Sequence, residues 1–318
     1  MNKKTLIGVL VIAVLAMLGV WLANSQGVRD YLLAMGYEPS GEVAEIEKNL
    51  DLTDTAKGVF NASRPELEGR DDFNYYCSSH DDKVSVLGCY AGGKIYLYDI
   101  EASELNGVKE STLAHELLHA VWARLSEAEK TDLSGPLMKL YNENADLSKD
   151  LEIYDEKNRL DELHSRAATQ IVDLPNELET HYAKYFKNQD AVVKYYQQYN
   201  SKFEALNNEL KRLENEMAGI NDEIERKTDE YKTRSGALNK EIEGFNDCAN
   251  TAGCFSASEF YSKRAELVAE QEAVASLYDE IDALVKSYNA KVAEYNNNIL
   301  RTQNLQNSMN SNSAPPAV

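Results

Sequence analysis

Cysteine is scarce in this chain. Four in 318 residues are too few to staple a miniature domain, and neither close pair has the Cys-x-x-Cys spacing of a zinc ribbon. Cations are scarce as well. Lys and Arg number 33 against 53 Asp and Glu, a formal net charge of −20, which repels phosphate backbones and argues against nucleic acid as a partner. Charge is missing altogether from Leu6 to Ala23, a run that follows Lys3 and Lys4. At 1.5 Å per residue this run is about 27 Å long, enough to cross a bilayer and longer than a signal-peptide core. Trp21 sits where an interfacial aromatic belongs, and the lysines favour the cytoplasmic side. Residues 6–23 therefore read as an uncleaved single-pass signal anchor, with residues 1–5 as a cytoplasmic stub and all that follows outside the membrane. A signal peptide cleaved near Ala23 and Ser25 is the rival, and it exports the same residues.

Export makes disulfides of the cysteines. The local spacings of Cys77 with Cys89, and of Cys248 with Cys254, favour one short loop each over the crossed connectivities. After a tether at 24–37, a folded domain is expected over 38–188. Ser40 can cap a helix carrying Val43, Ile46 and Leu50 on one face. "KVSVLGCYAGGKIYLYDI" holds two β-rich runs around Ala91-Gly92-Gly93, a hairpin signal. Helical spacing then covers Val108 to Leu125 and Asn158 to Val172, and Pro175 ends the second stretch.

From about Val193 the apolar positions fall into a three-four spacing, running from Tyr196 to Phe245 and again from Phe260 to Ile299. A narrow apolar seam on a polar helix cannot be buried alone. Residues 189–306 are thus expected to form an antiparallel coiled-coil hairpin about 75–80 Å long, with its tip at 246–258 and a disordered tail at 307–318. Pairing of the arms between two chains is the alternative.

"STLAHELLHAVW" carries the chemistry. His115 and His119, four apart on a helix, lie one turn above the other, so both imidazoles can reach one zinc ion. Glu116 follows the first histidine and can take a proton from zinc-bound water. It is the only charged group from Ser111 to Ala123 other than the histidines, as expected of a helix inside a domain. A catalytic zinc takes three protein ligands and one water. The other histidines are His80, His164 and His181, and the His-x-x-Gly-x-x-His continuation of metzincins is absent. An acidic third ligand is the first choice. In "NRLDELHSRAATQ", Glu162, Ser165 and Thr169 share the side opposite Leu160, Leu163 and Ala167, which puts Glu162 in the gap between two close helices. A surface Glu162 paired with Arg166 is the plain alternative. His164, then Glu156 and Glu177, are the rival ligands.

HELLH, with "DELHS" about 40 residues later and a β-rich segment before the zinc helix, resembles the gluzincin branch of zinc metallopeptidases. Over Gly36 to Phe186 the motifs "GYEPS", "LGCY", "AHELLHAVW", "ELHS" and "HYAKYF" also resemble a group of membrane-anchored bacterial proteins that join an HExxH site to a coiled-coil extension. By position, the resemblance implies His115 and His119 as ligands, Glu116 as general base and Glu162 as third ligand. It also implies a Tyr or His that stabilises the oxyanion, for which Tyr154, His181 and Tyr182 are candidates. One departure stands out: the second carboxylate that many gluzincins place three or four residues after the third ligand is replaced by Ser165 and Arg166.

These readings converge on an α+β fold: a small zincin-like catalytic domain, a long helical hairpin and one N-terminal transmembrane helix. The expected function is a membrane-anchored, extracytoplasmic peptidase with one zinc per chain, acting on a protein or peptide substrate. "GGKIYLYDI" could offer it an edge strand. A non-catalytic envelope adaptor, with a partner protein on the hairpin and a structural zinc, is the alternative.

Overall fold

The computed structural model describes residues 25–77 and 87–312. The expected stub and membrane span, His80, and residues 313–318 lie outside them. Among the described residues no helix is long and apolar enough to cross a membrane. The protein is mostly helical with a three-stranded sheet. It divides into two compact units, one reaching Phe203 and including the chain from Asn304 onward, the other Glu204–Gln303.

The first unit opens with helix α1 (Gln26–Ala34), so the segment read as a tether is in part a helix. Its polar ties are distant in sequence. Arg124 Nε donates to both carboxylate oxygens of Asp30 at 3.1 Å, and Arg64 donates to the carbonyls of Leu33 and Met35 at 2.7 and 3.2 Å. Nothing local in the sequence encodes such contacts. Helix α2 (Gly41–Leu50) is capped by Ser40 and buries Val43, Ile46 and Leu50. Helix α3 (Asp54–Ser63), strand β1 (Glu66–Glu68) and helix α4 (Arg70–Tyr76) follow.

Strands β2 (Gly88–Ala91) and β3 (Lys94–Tyr98) form the expected antiparallel hairpin, turned by Gly92 and Gly93 at positive φ. β1 pairs with β3 in parallel, giving the order β1-β3-β2. This corrects the reading of "GGKIYLYDI" as an edge strand: β3 is central, and among the described residues β2 is an edge.

Gly107, at φ 88°, turns the chain into helix α5 (Val108–Trp122); a Cβ there would lie 2.7 Å from the Tyr195 carbonyl oxygen. Helices α6 (Glu127–Glu143), α7 (Ala145–Leu151), α8 (Glu156–Gln170) and α9 (Asn176–Tyr182) complete the unit. Phe60, Leu97, Leu117, Leu163 and Tyr182 belong to one buried cluster, so sheet, α5 and α8 share a core. Of its helical neighbours, α5 packs most extensively against α8.

Helix α10 (Gln189–Ala249) leaves this unit and α11 (Ala257–Met309) returns to it. The return helix continues to Met309, past the residue where a disordered tail was expected. In the second unit Lys227 meets Glu280 at 2.5 Å, Arg234 meets Glu270 at 2.9 Å and Glu241 meets Lys263 at 3.1 Å. Partner numbers fall as residue numbers rise, so the two arms run antiparallel within one chain. Leu238, Leu267 and Val274 are buried between them, and the Cys248–Cys254 disulfide closes the tip.

The second disulfide, Cys77–Cys89, fastens the end of α4 to β2. Chain-entropy arguments assign about 3 kcal/mol to a loop of 12 residues and about 2 kcal/mol to one of six, the separations found here. Urea unfolding of the Cys77→Ala/Cys89→Ala variant should show a loss of about 3 kcal/mol. Peptide mapping without reductant should recover the two local links, and crossed links would contradict this pairing.

Candidate metal centre

Helix α5 is sheathed nearly all round. Between Ser111 and Trp122 every residue is buried except Thr112, His115 and His119, which recur at helical spacing as one open stripe. The two imidazoles face each other, with Nε2 atoms 3.1 Å apart. Helix α8 supplies the third group. Glu162, only 8% exposed, sets Oε1 3.6 Å from His115 Nε2 and Oε2 3.4 Å from His119 Nε2. His115, His119 and Glu162 thus form a group that could hold a metal ion, their ligand atoms all within 4.8 Å of one another.

The donor chemistry fits a cation. Asp161 Oδ1 lies 2.7 Å from His119 Nδ1, the arrangement that keeps the proton on Nδ1 and turns the Nε2 lone pair toward the other ligands. Arg166 Nε donates to Glu162 Oε1 at 2.7 Å while its Nη1 lies 3.4 Å from Asp150. The plain alternative for Glu162, an ion pair with Arg166, is therefore present, but inside the protein and at the metal group.

Burial disfavours a charge on His119. Hydrogen bonds to Asp161 and Glu162, with the Glu116 charge behind them, nevertheless raise its pKa well above the ordinary histidine value. Burial likewise works against an ionised Glu162, and the charges and hydrogen bonds of His115 and His119 overcome it, holding the carboxyl well below its usual range. The surroundings of the cluster favour positive charge between the helices.

Glu116 is 6% exposed and is met by strand β2. A Cβ added at Gly88 would fall 2.7 Å from Glu116 Cγ and 2.7 Å from Thr112 Cγ2. Only glycine lets this strand approach so closely.

The rival ligand His164 is elsewhere. It is fully buried, packs against Trp122 and Tyr182, and places Nε2 2.9 Å from His181 Nε2. Tyr182 is committed too, donating to the His164 carbonyl at 2.8 Å. Among the three oxyanion candidates, Tyr154 alone shares the charge environment of the cluster. Burial and Glu162 raise its pKa while Arg166, its hydrogen-bond partner, opposes them. Glu177 is exposed and is not in the metal group; the side chain of Glu156 and all of His80 lie outside the described residues.

Sequence reasoning missed Asp161 and Gly88. The orienting carboxylate was sought after Glu162 and stands immediately before it. The glycine of "LGCY" carried no signal of its own, since its role depends on a strand and a helix that are not adjacent in sequence. The chain matches no known protein family, no curated protein and no solved structure.

Chelator competition should show Glu162→Ala losing most of its metal affinity, Asp161→Asn weakened about 10- to 100-fold, and His164→Phe close to wild type. Loss of metal in His164→Phe with retention in Glu162→Ala would reverse the ligand assignment. Burial, with Lys184 assisting, lowers the His181 pKa to about 4, against about 6.5 in an unfolded chain. Between these values the unfolded chain binds more protons, so stability falls as pH drops from about 6.5 toward 4. Melting curves in EDTA should show that acid-side fall, and it should be shallower in His181→Gln.

Proposed function

We propose that this protein is a zinc-dependent peptidase of gluzincin type, held at the outer face of a membrane by residues 6–23. The observation that carries the proposal is the convergence of two histidines from α5 and one carboxylate from α8. With ligand bonds of about 2.0–2.1 Å, a tetrahedral zinc requires donors about 3.3 Å apart. The two histidine nitrogens stand 3.1 Å apart, and the Glu162 carboxylate comes within 3.6 Å of one through Oε1 and within 3.4 Å of the other through Oε2, so a small rotation of the carboxyl would seat one oxygen on the ion. Three converging donors among the described residues also fit a catalytic ion, whereas a structural zinc generally takes four; this favours the enzyme over the adaptor.

When bound, zinc lowers the pKa of a coordinated water to about 7 and polarises a substrate carbonyl. The protein supplies the remainder. Glu116 accepts a proton as the water oxygen attacks the peptide carbon, then returns it to the amine nitrogen as the carbon–nitrogen bond breaks. Asp161 keeps His119 in the ligating tautomer. Gly88 holds Glu116 in place, and the edge of β2 beside it offers backbone groups to an extended peptide. Tyr154 is the residue assigned to the oxyanion. The disulfides suit an extracytoplasmic setting.

Glu116→Gln provides the test. Gln is nearly isosteric but cannot accept the proton, so cleavage of a diverse peptide library should drop about 10²- to 10⁴-fold with zinc content unchanged. Equal rates in variant and wild type would exclude Glu116 as the base. A wild type fully loaded with zinc that cleaves nothing would favour the adaptor.

A further inference from the structure

Helix α1 presents an apolar surface that the metal centre does not use. Tyr31 is 69%, Leu32 59% and Met35 57% exposed, and none of the nine residues of the helix is buried. At about 100° per residue, Tyr31 and Leu32 lie roughly 100° and 200° around the helix from Asp30 and Met35 is the residue that caps it, while Leu33, 45% exposed, lies nearer Asp30. Asp30 faces inward to Arg124, which also donates to the Tyr90 hydroxyl and the Ala120 carbonyl. The inner side of α1 is thus bolted to β2 and to the end of the metal-bearing helix α5, while the outer side offers hydrocarbon to its surroundings. Nine residues are too few for a helix stable by itself in water, and grouped exposed apolar residues mark a contact surface.

The chain before α1 indicates what meets that surface. The apolar run ends at Ala23 and α1 begins at Gln26. Three residue steps span at most about 11 Å, comparable with the polar headgroup layer, about 5–8 Å on each side of the hydrocarbon core. A chain that leaves the bilayer at residue 23 enters α1 beside the headgroups.

We propose that α1 is an interfacial helix, with Tyr31, Leu32 and Met35 seated at the boundary of headgroups and acyl chains of the bilayer that residues 6–23 span. The proposal rests on the anchored reading above. Tyrosine suits that depth. The helix itself carries one arginine and one aspartate, no basic cluster that would draw it to anionic lipid, so apolar insertion holds the helix and zwitterionic lipid suffices. A short apolar face binds weakly when free, and the adjoining anchor supplies the effective concentration that keeps it seated. Through Arg124 and Asp30, α5 and its metal group then stand at a fixed orientation to the membrane.

The full chain, reconstituted in phosphatidylcholine vesicles, tests this with an environment-sensitive fluorophore on Leu32→Cys, a second on Met35→Cys, and a control on Glu101→Cys. Glu101 is exposed and lies beside the opposite end of α5. The labels at 32 and 35 should emit at shorter wavelength than the control. Lipids bearing a nitroxide near the headgroup should quench them at least twofold more strongly. Chains that float with the vesicles while all three labels behave alike overturn the interfacial helix and leave the anchor standing. Chains that do not float overturn both. Shielding of 32 and 35 from water without quenching by the lipid nitroxide overturns the proposal in favour of a second copy covering the patch. Zinc content and peptide cleavage of the same vesicles report the peptidase reading independently.

Discussion

An ionised carboxylate between packed helices has to be neutralised, and the centre of this protein is arranged around that requirement at Glu162. An unpaired buried charge costs several kcal/mol, a large part of the about 5–15 kcal/mol that separates folded from unfolded domains. His115 and His119 from α5 and Arg166 from α8 itself surround the carboxylate. Without an ion, a proton held on His119 supplies positive charge. A divalent cation would supply more, so its binding and the packing of α5 against α8 would stabilise each other. The same geometry that satisfies Glu162 leaves one stripe of α5 open, at Thr112, His115 and His119.

The rest of the first unit positions these helices. Sheet and helices share a core with the buried side of α5, so the histidines cannot rotate away without disturbing Leu113, Leu117 and Val121. β2 reaches Glu116 because residue 88 lacks a side chain, and the Cys77–Cys89 link ties that strand to α4. Arg124, one turn beyond His119 and hydrogen-bonded to the Ala120 carbonyl, connects the far end of α5 to α1. Contacts along one helix therefore link the His115, His119 and Glu162 group, the edge strand and α1.

How much of this was legible in the sequence depended on the range of the signal. The His115/His119 pair, the Ser40 cap and the Gly92-Gly93 turn are encoded within a few residues, and all appear as read. Glu162 was legible because small polar neighbours marked a face of α8 able to approach another helix. Asp161 was not, because the gluzincin resemblance directed attention three or four residues beyond Glu162, where Ser165 and Arg166 stand instead of a carboxylate. The central position of β3 was hidden by β1, three residues long and mostly glutamate, whose parallel pairing spans about 30 residues of chain. Helix α1 was missed because what it meets, α3 with Arg64 and then Arg124, lies far away in sequence.

The proposed function requires α5 and α8 to build a three-ligand zinc site with a position left for water. X-ray absorption at the zinc edge, on protein loaded with one equivalent, measures this directly. The expected shell is two imidazole nitrogens, one carboxylate oxygen and one further light ligand that exchanges with solvent, with an imidazole contribution lost in His119→Ala. Four protein ligands, a sulfur in the shell, or no zinc retained by the folded chain would contradict it.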